Sequence, residues 1–187
     1  MRYYIVAYDY ENGDDYIYCH QSELGGIDEY AVTDGVRIDS WKNIVLRYSS
    51  KEEDVLSDHL ANVHGWPVVS AKFRELTNAF LAEQVQYLPI KVLDVEHGKE
   101  IDTYYVVNAV CLIDALDLEH STYDDITLDD EKVLIVEKYA LNRSKIKGEH
   151  MFRLKGDTIP LFVSEEVKDV IEDNALTGFT FIEVELV

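Results

Sequence analysis

A short pattern that occurs twice constrains the fold of this chain more than any other feature. In each copy an apolar strand-like run ends in serine, is followed by apolar residues at helical spacing, and continues into an alternating apolar run. The copies read PVVSAKFRELTNAFLAEQVQYLPIKV, from Pro67, and PLFVSEEVKDVIEDNALTGFTFIEV, from Pro160. Placing Ser70 on Ser164 aligns them without a gap, at an offset of 94 residues. Each copy is therefore predicted to form a strand, a helix and a strand.

The serine at each strand–helix junction is predicted to cap the helix that follows. A serine hydroxyl at this position accepts a hydrogen bond from backbone N–H groups that have no intrahelical partner. Ser70 and Ser164 are therefore interpreted as structural helix caps. One strand–helix–strand unit cannot bury both its helix and its sheet face, so two related units are predicted to share a core. Any two such segments resemble each other to some degree, which leaves open whether the pattern is a true duplication.

The remaining apolar runs predict further strands. A weak helical pattern covers Lys51 to His64. The strand-like runs are Ile44 to Tyr48, Thr103 to Ala115, Val133 to Leu141 and His150 to Leu154. Together these elements predict an α+β fold with mixed, mainly antiparallel sheets and about three helices.

The N-terminal region is predicted to begin with a β-hairpin. Asn12-Gly13 lies between two tyrosine-rich runs, and Asn-Gly favours the type I′ turn that joins twisted strands. Tyr8 is then expected to lie roughly opposite Ile17. We divide the chain into residues 1–65, the hairpin with an acidic variable region, and residues 66–187, an α+β core. No linker rich in Pro, Gly or Ser separates them, so one compact unit is expected.

Charge limits the partners that this chain can have. Its 37 acidic and 17 basic residues give a net charge of −20, although 47% of the residues are hydrophobic, which is enough for a folded core. Such a surface disfavours phosphate backbones and anionic membranes, so the expected partner is a basic protein and neither a nucleic acid nor a membrane. The alternative is that the acidity serves solubility alone.

The location expected for the protein is the bacterial cytoplasm. The N-terminus lacks the apolar stretch of a secretory signal, and no apolar run approaches the ~20 residues that span a bilayer. The two cysteines, Cys19 and Cys111, fit reduced thiols better than a disulfide framework, although a single disulfide between them stays open.

Patterns for catalysis, cofactors and metals are missing from the sequence. The acidic run from Asp9 to Asp15 fails the calcium-loop pattern, and the six histidines lack metal-ligand spacings. Neither glycine-rich phosphate loops nor a nucleophile elbow occurs. No catalytic, cofactor-binding or metal-binding residue is therefore assigned, and the protein is not expected to be an enzyme.

One acidic tract is the candidate interaction site. Asp114 to Glu131 holds eight acids and no Lys or Arg, interleaved with apolar residues, and is expected to form a loop between strands. In such a loop the charged side chains would fix how a partner is aligned, and the apolar side chains would supply binding energy. The candidate interface residues are Tyr123, Asp124, Asp125, Asp129, Asp130 and Glu131. The alternatives are a small carboxylate-dependent hydrolase, an acidic structural or adaptor subunit, or contact through the N-terminal hairpin.

From about Trp66 onward the chain resembles immunity protein family eleven of bacterial polymorphic toxin systems. The resemblance rests on PVVSAKFRELTNAF with VQYLPIKV, on YYVVNAVCLIDALDLEHSTYD, and on EHMFRLKGDTIPLFVSEEVKDVIEDNALTGFTFIEV. It implies a small cytoplasmic protein, without catalytic residues, that binds and neutralises a cognate toxin domain encoded beside it. The hypothesis is that the acidic segments dock on a basic toxin face and block its access to substrate.

Overall fold

The apolar runs of the sequence form strands in the computed structural model, which describes residues 1–11, 15–42, 44–51, 53–128 and 131–187. The first half contains β1 (Tyr3–Tyr8), β2 (Tyr18–Cys19), β3 (Gln21–Glu23), β4 (Val45–Tyr48), β5 (His59–Asn62), β6 (Val68–Ser70), α1 (Ala71–Leu81), β7 (Val85–Asp94) and β8 (Lys99–Ala109). The second half contains β9 (Leu112–Ile113), β10 (Thr122–Leu128), β11 (Glu131–Lys138), β12 (Ala140–Leu141), a 3-10 helix (Arg143–Lys145), β13 (Met151–Leu154), β14 (Asp157–Ser164), α2 (Glu165–Asp173) and β15 (Phe179–Leu186).

The strands form two large mixed sheets and a separate two-stranded ribbon. The first sheet has the order β2-β5-β6-β8-β7-β4-β3, and the second has the order β12-β15-β1-β14-β13-β9. Most neighbouring strands in the described parts are antiparallel, with parallel pairs at β2–β5, β4–β7, β12–β15 and β9–β13. The predicted α+β class with mixed, mainly antiparallel sheets is confirmed. Two α-helices and one short 3-10 helix occur in the described residues, where about three helices were predicted.

The two echoed segments form units with the same topology and the same register. In the first unit β8 lies between β6 and β7, and in the second β1 lies between β14 and β15, antiparallel to both neighbours in each case. Tyr104 of β8 pairs with Ser70 on one side and with Ile90 on the other. Tyr3 of β1 pairs with Ser164 and with Val184, the residues 94 positions further along. This agreement in pairing supports the prediction of two related units.

The helices of the two units pack together in a central core. Phe73 of α1 and Val167 of α2, which the offset aligns, are both buried there with Val69 and Val163 of the preceding strands. The outer face of each sheet carries a second apolar core. A helix and one sheet face of each unit are thus buried by the other unit, as expected for units that cannot bury both alone.

Each unit also places a cation from its helix over an aromatic ring of its central strand. The guanidinium of Arg74 lies 4.6 Å from the ring centroid of Tyr105 in β8. The ammonium of Lys168 lies 5.6 Å from the ring centroid of Tyr4 in β1. Such contacts contribute about 0.5–1 kcal/mol each at exposed sites. The matching positions extend the correspondence between the units from backbone to side chains.

Both helices begin at the serine that ends the preceding strand. Ser70 has φ −70° and ψ 163°, and its Oγ accepts from the backbone N–H of Phe73 at 3.3 Å. Ser164 has φ −73° and ψ 161°, and its Oγ accepts from Val167 at 3.3 Å. The extended backbone of the cap residue and its hydroxyl acceptor together satisfy one of the otherwise free N–H groups.

Replacing Ser164 by alanine is expected to lower the free energy of unfolding by about 1–2 kcal/mol, because the buried hydroxyl caps α2 and also lies 3.0 Å from Nδ1 of His150. Urea denaturation measures this loss. Ser49→Ala, at an exposed serine, is the control and should change stability little. Equal stabilities of the two variants would contradict the role of the cap.

The predicted N-terminal hairpin is wrong. Tyr8 pairs with Phe179 of β15, whereas the backbone N–H of Ile17 donates to the carbonyl of Val55. The turn residues Asn12 and Gly13 lie outside the described residues. The physical reason is that β1 is the central strand of the second unit, so β14 and β15 occupy its hydrogen-bonding edges, and the following segment pairs with β5 in the first sheet.

The helix predicted within Lys51 to His64 is also wrong, because its second half forms β5. His59 and Leu60 pair with Val69 and Val68 of β6. All four residues of β5 are buried. A strand that is buried on both faces shows no alternation of apolar and polar residues. The spacing of its apolar residues can therefore resemble one face of a helix.

Candidate interaction surface

Part of the acidic tract, Thr122–Leu128, forms one strand of the two-stranded ribbon β10–β11. Tyr123 pairs with Val136, Asp124 with Ile135, and Asp125 with Leu134, in antiparallel register. Within the described part of the chain this ribbon pairs with neither large sheet. The predicted loop between strands is therefore wrong for Thr122–Leu128. The segments TYDDITL and VLIV contain β-branched and aromatic residues, which favour strands. The prediction of a loop gave more weight to the many acids of the tract than to these residues.

The base of the ribbon is fixed to the second sheet. The backbone N–H of Asp117 donates to the carbonyl of Ala140 at 2.9 Å, and that of Ala140 donates to Oγ of Ser121 at 3.0 Å. Ala140 and Leu141 are fully buried and pair with β15. Lys138, at the end of β11, lies 2.7 Å from Glu185 of β15. The ribbon is thus an arm whose base is bonded to the second sheet.

A charged pair stands beside this base. Nδ1 of His120 lies 2.9 Å from Oδ1 of Asp117. The hydrogen bond to Asp117 raises the pKa of His120, and the same bond lowers the pKa of the Asp117 carboxyl. The contact therefore favours a positively charged imidazole at the base of an otherwise acidic arm.

The described side chains of the arm are exposed on β10. Thr122, Tyr123, Asp124 and Asp125 all face solvent, and Tyr123 keeps 40% of its surface accessible. On β11 the side chain of Ile135 is 46% exposed. Because side chains alternate along a strand, the arm presents the ring of Tyr123 with Asp125 on one face, and Ile135 with Asp124 on the other.

For three of the candidate interface residues the structure describes the backbone only or nothing. Glu131 is the first residue of β11. Asp129 and Asp130 lie outside the described residues. The structure therefore brings together Tyr123, Asp124 and Asp125 on one strand, with Glu131 at the start of the strand that pairs with it.

A cleft between the two sheets holds residues that the sequence analysis missed. It has a volume of about 270 Å³ and is lined by residues of β1, β5, β13 and β14. Arg153 and His59, both buried, are among the lining residues. An arginine within the otherwise apolar run Met-Phe-Arg-Leu is the one sequence signal that could have pointed to this cleft.

The two thiols and the described acidic groups can be compared with the arrangements that nucleophilic and metal sites require. Burial raises the pKa of Cys19 to about 12 and also raises that of Cys111, which makes both poor nucleophiles at neutral pH. The described residues contain no cluster of three or more His, Cys, Asp or Glu side chains suited to a metal ion. In the same part of the chain, neither α-helix has the length and apolar character needed to cross a bilayer.

The described residues thus form an exposed arm on a scaffold of two related units. A comparison with protein-family models matches residues 8–186 to the Imm11 immunity protein family. The chain belongs to this family. The match confirms the resemblance found from residue 66 onward and extends it through almost the entire N-terminal region. A search of curated proteins finds no match.

Proposed function

We propose that this protein binds and neutralises a cognate protein toxin encoded beside it in bacteria, acting in the cytoplasm of the cell that produces both. Membership of an immunity protein family carries this proposal. The proposed mechanism is steric: the β10–β11 arm docks on a basic face of the toxin and blocks access of its substrate.

The exposure of the arm supports its role as the toxin-binding surface. A two-stranded ribbon buries little of its own apolar surface, and a partner would complete that burial. Tyr123 on one face of the ribbon and Ile135 on the other each offer an apolar anchor of the kind that dominates binding energy. The outer edges of the ribbon also carry backbone groups to which a strand of the toxin can be added.

Charge is proposed to act on the rate of encounter. With a net charge of −20, the protein would attract a basic toxin over a range limited by the Debye length, about 8 Å at physiological salt. Asp124 and Asp125 then align the arm on its target, while the desolvated apolar contacts set the dissociation rate.

The first test is survival of cells in which the toxin domain of the adjacent gene is induced. We expect growth to be restored when this protein is co-expressed and not when an unrelated protein of similar acidity is used. Death in both cases, with toxin and immunity protein shown to be folded and expressed, would contradict the proposed function.

Neutralising the arm is expected to slow association. Asp124→Asn with Asp125→Asn should lower the association rate constant roughly threefold to tenfold at low salt and much less at high salt, measured by stopped-flow or surface plasmon resonance. The matched control is Asp169→Asn with Asp173→Asn, which removes the same charge from exposed positions of α2.

Equal rates for the arm variant and the α2 variant would place the interface elsewhere on the molecule. The exposed N-terminal tyrosines Tyr10, Tyr18 and Tyr30 would then be the next surface to test. Tyr123→Ala, which leaves the charge unchanged, is expected to raise the dissociation rate instead of lowering the association rate.

A further inference from the structure

The cleft between the two sheets differs in charge from the rest of the protein. The described residues that line it include no Asp or Glu, although the chain holds 37 of them. Its mouth is marked by Tyr10 and Ile159, whose side chains are 72% and 79% exposed. Deeper in, Tyr8, Trp66, His59 and Arg153 contribute to its walls. A volume of about 270 Å³ suits a small molecule or one side chain of a partner.

Arg153 is a buried cation with incomplete bonding. Only 1% of its surface is accessible. Its Nη1 donates to the carbonyl oxygens of Thr158 and Ile159 at 2.7 and 2.5 Å, whereas Nε has no hydrogen-bond partner among the described residues. Burial lowers the pKa of Arg153 to about 10, so the guanidinium is still charged at neutral pH. Among the described residues no carboxylate pairs with this guanidinium. A buried charge without such a partner is costly, and a bound anion would remove that cost.

The alternation of β13 explains why Arg153 belongs to this cleft. Phe152 and Leu154 are buried in the outer core of the second sheet. Met151 lies in the central core, on the other face. The pairing of β13 with β14 shifts register between Phe152 and Leu154, but both of these residues face the outer core, so Arg153 between them lies on the inner face with Met151. Residues of β5, in the first sheet, line the same cleft. The cation is thus held between the two units.

His59, another residue that lines the cleft, holds a second polar atom without a partner among the described residues. Its ring stacks on Phe179 at 4.8 Å, and its Nδ1 has no hydrogen-bond partner in the described parts of the chain. Buried polar atoms without partners are uncommon in folded proteins, and two of the three found in the described residues belong to side chains of this one cleft.

We propose that this cleft is a binding site for a single carboxylate group, held by the guanidinium of Arg153. A planar guanidinium matches a carboxylate in geometry and charge. One cation, in walls formed largely by aromatic and aliphatic residues, suits a monoanion with an apolar body better than a phosphate dianion. The carboxylate belongs either to a small organic acid or to an acidic side chain of a partner protein.

The test is a titration of the full-length ¹⁵N-labelled protein with sodium acetate, followed by NMR at the Nε–Hε resonance of Arg153. We expect a saturable shift with a dissociation constant of about 1 mM, and no saturable shift with sodium chloride at the same ionic strength. A shift that is absent, or that matches the chloride titration, would overturn the proposal.

Variants add a second readout. Arg153→Lys keeps the charge but loses the planar fork, and it should weaken acetate binding at least ~10-fold as followed at the indole resonance of Trp66. Arg47→Lys, at an arginine paired with Glu23 in the first sheet, is the control and should bind acetate as the wild type does. Unchanged binding by folded Arg153→Lys would overturn the assignment. The wild-type titration decides the matter if that variant does not fold.

A competition experiment separates the two sources of the carboxylate. Displacement of acetate by the toxin domain would assign the site to a carboxylate of that partner, and simultaneous binding of both would assign it to a free organic acid. The acetate titration needs no toxin. A negative titration would therefore contradict the proposed site alone, and a negative survival test would contradict the proposed function alone.

Discussion

Gly178→Ala is expected to destabilise the protein by roughly 3–5 kcal/mol or to prevent its folding. Gly178 has φ +81°, and a Cβ placed there would lie 2.4 Å from the carbonyl oxygen of His59 and 2.9 Å from Cβ and Oγ of Ser57. The nearest of these atoms is backbone, so relief requires the chain to move. Urea denaturation and yield of soluble protein measure the effect.

The control is Gly156→Ala, which has nearly the same backbone conformation and no close neighbour. Its φ is +86°, and no atom lies within 4 Å of a Cβ built there. It should therefore show only the cost of a left-handed conformation, about 1–2 kcal/mol. Similar losses for the two variants would show that the clash is relieved locally.

The site of this clash explains why the effect should be large. The carbonyl of Gly178 accepts from the N–H of Asp9, and that of the neighbouring Thr177 accepts from the N–H of His59 at 2.9 Å. The turn before β15 thus connects the second unit with β5 of the first sheet. Moving this turn would disturb contacts in both units at once.

A second large effect is expected from pH. Burial lowers the pKa of His59 from 6.5 to about 4, partly opposed by the carbonyls of Gly178 and Ala7. Between these values the unfolded chain binds a proton that the folded protein does not, so stability falls as the pH falls. The loss begins near pH 6.5, has a slope of about 1.4 kcal/mol per pH unit, and reaches roughly 3 kcal/mol at pH 4.

The measurement is the free energy of unfolding by urea at several values between pH 5 and 7, a range in which most carboxylates stay ionised. His59→Asn should flatten the pH dependence, whatever its effect on stability at pH 7. His20→Gln, at an exposed histidine, is the control and should retain the slope. A His59→Asn variant with the wild-type slope would show that another group carries the dependence.

Much of the scaffold could be predicted from local sequence. Ser70 and Ser164 mark the starts of helices because capping depends on residues three positions apart. The alternating runs from Val85 and from Phe179 form strands because a period of two is local information. The gapless offset between the two copies reappears in the pairing register of both sheets.

The errors arose where a segment's structure depends on distant partners. The N-terminal strand reads like half of a hairpin, but it completes a unit whose other parts lie at the opposite end of the chain. The acidic tract reads like a loop, but cross-strand partners from Val133 to Lys138 hold it as a strand. Strand pairing is long-range, so local propensity decides neither case.

The sequence by itself thus determined the α+β class, the two strand–helix–strand units and the family. Only the tertiary structure decided that Asp124 and Asp125 stand on an exposed arm and that Arg153 and His59 line one cleft. The physical reason is that periodicity and capping act within a few residues, whereas the arm and the cleft exist only once two sheets have packed and set which surfaces stay open.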